Sequence, residues 1–109
     1  MAITVNIFYT GTAYAAQQFA REMVESGTVA AIRNAPGNLR YEYFVPIDDP
    51  HTVLLIDSWQ DQQAIDAHHA SPMMQTIARL RDHYDLHMRI ERYISDTSDT
   101  SGDEKFLRR

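Results

Sequence analysis

Cysteine is absent from the 109-residue sequence. Its absence removes disulfides, thiolate nucleophiles, iron–sulfur clusters and Cys-ligated zinc together, and leaves a small domain to be held by packing or assembly. Positive charge is also scarce. Ten Lys and Arg stand against fifteen Asp and Glu, a net charge of −5, which is the wrong sign for neutralising a phosphate backbone, so nucleic acid is not an expected partner. No apolar run approaches the ~18 residues a membrane helix needs, and Met1–Asn6 lacks the basic and apolar regions of a targeting segment. The expectation is an untargeted cytoplasmic protein with no membrane partner. Glycine-rich phosphate loops, G-x-S-x-G elbows and H-E-x-x-H helices are missing too, so nucleotide binding, α/β-hydrolase and zincin chemistry have no support.

What remains is an ordinary globular balance, 44% hydrophobic with 23% charged, in a chain long enough for one domain with one modest pocket. Ile3, Val5, Ile7 and Tyr9 alternate with Thr4, Asn6, Phe8 and Thr10, the period of a strand. Thr12 is read as the N-cap of an amphipathic helix with Ala16, Phe19, Ala20, Met23 and Val24 on its buried stripe. That helix is expected to reach about Asn34, bent at Ser26-Gly27-Thr28 and stopped by Ala35-Pro36-Gly37. Leu39, Tyr41, Tyr43 and Val45 mark a second strand, and the run Thr52–Trp59, apolar on both faces through Ile56, marks a third paired with it. A second helix follows Trp59 and is restarted at Ser71-Pro72. Leu86, Met88, Ile90 and Ile94 belong to a last strand. The small acidic stretch from Ser95 onward cannot offset its ordering entropy and is expected to be a mobile tail, residues 95–109, behind a domain of residues 2–94.

The β-α-β-β-α-β order implies an antiparallel α+β sheet with helices on one face. Phe8, Phe44, Leu54, Ile56 and Tyr93 then fall on the uncovered face, more apolar surface than a soluble monomer leaves exposed. Hiding ~500 Å² of it is worth on the order of 12 kcal/mol before association costs. A homodimer formed through the sheets is the expected remedy, with an edge strand or the tail folded across that face as the alternative.

Histidines, aromatics and a few polar groups are the candidates for chemistry. Of the adjacent His68 and His69 only one can face inward, and spacing from Ala64 and Ile65 selects His68. Its imidazole would serve as general base or acid, or simply edge a pocket as a structural group. Trp59 and Tyr41 would hold a flat ligand or fill core, and Met73, Met74 and Met88 would form a soft wall or core packing. His83 and His87 straddle a helix end with no third ligand beside them, so no metal is expected.

Pro36-Gly37-Asn38-Leu39-Arg40-Tyr41-Glu42, the strand end at Trp59, and Asp66-Ala67-His68-His69-Ala70-Ser71-Pro72 occur in an order and spacing that resemble the antibiotic biosynthesis monooxygenase domain family, especially its quinol monooxygenase-like members. The resemblance covers residues 2–94. It implies a dimeric ferredoxin-like α+β barrel, with a pocket between sheet and helices, that oxidises a quinol or polyketide-like aromatic with molecular oxygen and no cofactor. Relatives that process phosphorylated autoinducer-2 share these segments. Such an isomerase-like activity is the alternative, needing cationic phosphate ligands for which Arg40 and Arg79 are the evident candidates. A non-catalytic dimer that binds small molecules is the third reading. Haem-degrading relatives fit poorly, because their iron-ligating histidine falls at Ala78 and their buried tryptophan near His68. Met73 departs from many relatives, which carry histidine there.

For a quinol, His68 would be the catalytic base, with Trp59 and Tyr41 binding the substrate and Asn6 orienting it if it points inward. A phenol near pKa 10 faces an imidazole near 6.5, a gap of ~5 kcal/mol that burial widens. Something must therefore stabilise the phenolate, Asn6 or Arg40 being the donors considered. Strand parity allows only one of Arg40 and Tyr41 to line the pocket, and Tyr41 is the one expected there.

Overall fold

The alternating first segment forms strand β1, Ile3–Thr10, in a computed structural model that describes residues 1–109. Helices α1 (Ala15–Glu25) and α2 (Thr28–Arg33) follow, then β2 (Asn38–Phe44), β3 (Thr52–Trp59), helices α3 (Gln62–His69) and α4 (Met73–His83), and β4 (His87–Ile94). The strands form one antiparallel sheet in the order β2-β3-β1-β4, so the apolar β1 and β3 are internal and the more polar β2 and β4 take the edges. This is the ferredoxin-like α+β arrangement expected from the order of elements.

Register fixes what each face offers, because directly paired residues point the same way. One row across the helix-covered face runs Tyr41, Asp57, Val5, Arg92, and the next runs Tyr43, Leu55, Ile7, Ile90. Phe19 and Met23 of α1, Val29 and Ile32 of α2, Ile65 of α3, and Ile77 and Leu80 of α4 pack onto those rows to form a single core. The Phe19 ring lies 4.9 Å from that of Tyr9. Phe19 is fully buried, and removing such a ring from a core typically costs ~3–5 kcal/mol. The opposite face carries Phe44, Leu54, Phe8 and Arg89 in one row. Arg89 lies over the Phe8 ring at 4.0 Å and Arg40 over Phe44 at 5.4 Å, so cations shield part of this apolar surface.

Two local expectations change. The helix read from Thr12 to Asn34 is two helices, because Gly27 adopts φ 83°, a left-handed conformation that ends α1 and turns the chain into α2. Thr12 is not the cap. Ala13 takes φ 51°, the helix opens at Ala15, and Thr12 supplies only a carbonyl that accepts from the Ala15 N–H at 3.1 Å. The restart at Ser71-Pro72 separates α3 from α4 as expected. Residues 95–109 are exposed throughout and hold one 3-10 turn, Ser101–Phe106. Phe106 and Leu107 are exposed rather than folded onto the uncovered sheet face. No helix is long and apolar enough to cross a membrane.

Candidate functional site

The segment Pro36-Gly37-Asn38 sets the site up from below. Gly37 takes φ 83°, and a β-carbon there would meet the Ala64 Cβ at 2.7 Å, so the turn needs glycine both for its backbone and for the close approach of α3. The Gly37 carbonyl accepts from the Gln60 N–H at 2.8 Å. One residue on, the Asp61 carboxylate caps α3 by accepting from the Ala64 N–H at 2.8 Å. With its start anchored, α3 turns Ala64, Ile65 and His68 inward, the i, i+1, i+4 positions of one face, and leaves His69 at the surface.

His68 is 5% exposed. Its ring stacks on the Trp59 indole at 4.8 Å and meets Tyr41 edge-on at 6.3 Å. Nδ1 is buried with no hydrogen-bond partner in the protein. Burial lowers its pKa and the neighbouring His69 adds to the effect, so the ring is neutral at pH 7 and available to take a proton. Trp59 is fully buried, and its Nε1–H donates to Asp57 Oδ1 at 2.6 Å. Asp57 is itself buried, which pushes its carboxyl up to about 6 against the opposing effect of the Trp59 hydrogen bond.

His68, Tyr41 and Asp57 open on a cavity of about 210 Å³ between sheet and helices. Val5, Ile7 and Tyr9 of β1, Tyr41 of β2, Asp57 of β3, and Met88, Ile90 and Arg92 of β4 make its floor. Ile65, His68 and His69 of α3 with Met74, Ile77 and Arg81 of α4 make its roof. Its walls are mainly apolar, with one acid, one buried imidazole and two guanidiniums converging on it, the composition of a small-molecule site. Larger grooves of about 430 Å³ beside Pro46 and Asp49 and about 470 Å³ around Arg33 and Leu39 are lined mostly by polar side chains and open to solvent. Burial raises the Tyr9, Tyr41 and Tyr43 hydroxyls well above the usual phenol value, so they are donors and not bases.

Of the residues singled out from sequence, His68, Tyr41, Met74 and Met88 line the cavity, whereas Met73 packs against the core outside it. Trp59 stands behind the imidazole, touching the site through His68 and Asp57. Asn6 is not brought there. It pairs with Ile56 and Glu91 on the opposite face of the sheet, since strand alternation turns it away whenever Val5 and Ile7 point in. Arg40 also faces away and is ion-paired with Glu42 at 2.9 Å, while Arg79 is exposed on α4. The cations that do reach the cavity are Arg81 and Arg92. Neither these arginines nor Asp57 belong to a recognisable motif, although each sits at an inward position. Arg81 is four residues after Ile77, Arg92 two after Ile90 and Asp57 two after Leu55, so periodicity alone pointed to them. No group of three or more His, Asp or Glu side chains is placed to hold a metal ion.

Comparison with known proteins bears on the same elements. The sequence model of the antibiotic biosynthesis monooxygenase family matches residues 2–80. No curated protein matches the sequence. Among solved structures, a Deinococcus radiodurans protein ascribed to the antibiotic biosynthesis monooxygenases superposes with a TM-score of 0.75 at 20% identity, covering 92% of this chain and 97% of that one. SnoaB from Streptomyces nogalater, a cofactor-independent oxygenase, superposes with a TM-score of 0.73 at 18% identity, covering 92% and 98%. A Nitrosomonas europaea protein ascribed to the same monooxygenases gives 0.71 at 15%, covering 87% and 98%. Identities this low establish the shared fold, while the family match extends from β1 through most of α4, across every segment that builds the cavity except β4. This chain belongs to the antibiotic biosynthesis monooxygenase family.

Proposed function

We propose that the protein is a cofactor-independent monooxygenase acting on a small quinol. The observation that carries this is the buried imidazole of His68, kept neutral and without a hydrogen-bond partner beside an apolar cavity. A base poised this way can take a phenolic proton, and the electron-rich phenolate can then pass an electron to dioxygen without a metal or flavin. Overall, quinol and dioxygen give hydroxyquinone and water: the ring gains one oxygen, and two hydrogens leave with the other. Arg81 and Arg92 supply the cationic surroundings a phenolate needs, the role considered for Asn6 and Arg40 from sequence. Tyr41 offers a ring face and edge to the substrate, and Trp59 fixes the plane of the imidazole.

Size favours a quinol over a fused polyketide. The cavity's volume of about 210 Å³ lies below the ~300–1,000 Å³ of pockets for drug-sized ligands, which suits one or two rings. A phosphorylated sugar-like substrate is disfavoured by the apolar walls and by Asp57 on the floor. We further propose that two chains pair through their uncovered sheet faces, where Phe44 is 38% and Tyr93 50% exposed and Phe8, Leu54 and Ile56 are half-buried.

Oxygen uptake with a panel of one- and two-ring quinols tests the activity. Replacing His68 with Gln should lower turnover ~10²–10⁴-fold while thermal unfolding remains cooperative, the range expected for loss of a general base. Equal oxygen uptake by wild type and His68→Gln would remove the imidazole from the mechanism.

A further inference from the structure

A quinol that becomes a quinone gives up two hydroxyl protons, and His68 accounts for one of them. The floor of the cavity holds the other group of suitable chemistry. Asp57 lies two residues before the end of the internal β3 strand, directly paired with Tyr41 on one side and Val5 on the other, and it lines the cavity. Trp59 ties one carboxylate oxygen, Oδ1, at 2.6 Å, whereas no protein group hydrogen-bonds Oδ2. Neither Arg81 nor Arg92 is within ion-pair distance of it. A buried carboxylate held by a single hydrogen bond is costly to the fold, and an asparagine would hold the indole equally well. Packing therefore gives no reason for an acid at this position, and a group of this kind in a cavity is a functional candidate.

We propose that Asp57 is a second catalytic proton acceptor, receiving on Oδ2 the hydroxyl proton that His68 does not take. This rests on the reading of the site as a quinol oxygenase. The first proton goes to His68 and the first electron to dioxygen. The hydroxyl that remains on the oxidised ring is far more acidic than that of the starting quinol, so a carboxylate titrating near 6 is basic enough to take its proton. Both protons are afterwards returned to the reduced oxygen that leaves as water. The titratable and charged groups that face Asp57 are Tyr9 of β1, Tyr41 and Tyr43 of β2, His68 and His69 of α3, Arg81 of α4 and Arg92 of β4. The tyrosines are protonated throughout the working range, so they add no charge beside Asp57.

Trp59 is the only tryptophan in the chain and is bonded to this carboxylate, which makes its fluorescence a direct reporter. In a His68→Gln protein, Trp59 emission should titrate with a midpoint near 6, and the transition should vanish in His68→Gln/Asp57→Asn. Saturating phenol should then lower the midpoint, because its hydroxyl donates to the ionised carboxylate. Anisole, which lacks the hydroxyl, should raise it by excluding water. Equal shifts from the two probes, or none from either, overturn the proposal. With His68 intact, Asp57→Asn should lower quinol turnover at least ~100-fold with KM little changed, and wild-type turnover in that variant would also overturn it. If wild type oxidises no quinol, the function proposed above fails, yet the phenol and anisole shifts still decide whether Asp57 accepts a hydrogen bond from a bound hydroxyl, the contact that the transfer needs.

Discussion

Burying Asp57 without a cationic partner has a consequence for stability that requires no knowledge of the substrate. The carboxyl rises from an ordinary 3.8 to about 6 in the folded protein. At ~1.4 kcal/mol per pH unit, the difference amounts to about 3 kcal/mol. Between those two values the folded state holds a proton that the unfolded chain has released, so stability falls as pH rises through this window. The full penalty is present above about pH 6 and absent below about pH 4. An asparagine keeps an oxygen to accept from Trp59 Nε1 and carries no charge at any pH, so Asp57→Asn should match wild type near pH 3.5 and exceed it by ~2–3 kcal/mol at pH 7. In a chain of 109 residues that is a gain of roughly 10 °C in Tm. Urea unfolding of both proteins from pH 3.5 to 8 measures it, because the titration of every other acid cancels in the difference. A stability difference that does not change with pH would refute the reasoning, and would mean that Asp57 is solvated or ion-paired in the folded protein.

Gly37→Ala should destabilise by ~2–3 kcal/mol, combining a left-handed backbone with a β-carbon 2.7 Å from Ala64, whereas Gly27→Ala, at the same φ with nothing within 4 Å, should cost ~1 kcal/mol. Chemical denaturation of the pair separates backbone strain from the clash against α3. Leu54→Arg places a charge in the middle of the uncovered sheet face, and sedimentation velocity should show wild-type dimers becoming monomers. A wild type that sediments as a monomer rejects pairing through the sheets. Truncation after Ser95 removes only exposed side chains and keeps the bond from the Ser95 N–H to the Ala2 carbonyl, so Tm should move by less than ~2 °C in calorimetry.

Some of the site is written in local chemistry. Alternation in β1 and around Tyr41 told which side chains share a face, and helical spacing chose His68 over His69, because both rules depend only on covalent geometry. The signals of Pro36-Gly37 and Ser71-Pro72 set element ends for the same reason. Other parts were present in the pattern but masked by residue type. Asp57, Arg81 and Arg92 hold inward positions, and reading charged side chains as surface groups hid the acid and both cations of the cavity.

The sequence by itself determined the order of the elements, which side chains of a strand share a face and the family segments, since period, turn chemistry and capping act over a few residues. Only the tertiary structure decided that Trp59 stands behind His68 instead of lining the cavity, that Asn6 lies across the sheet from it, and that an acid on β3 and an imidazole on α3 open on one cavity. Those relations depend on strand register and on how closely α3 rests on the Gly37 turn, and both are fixed by contacts between residues far apart in the chain.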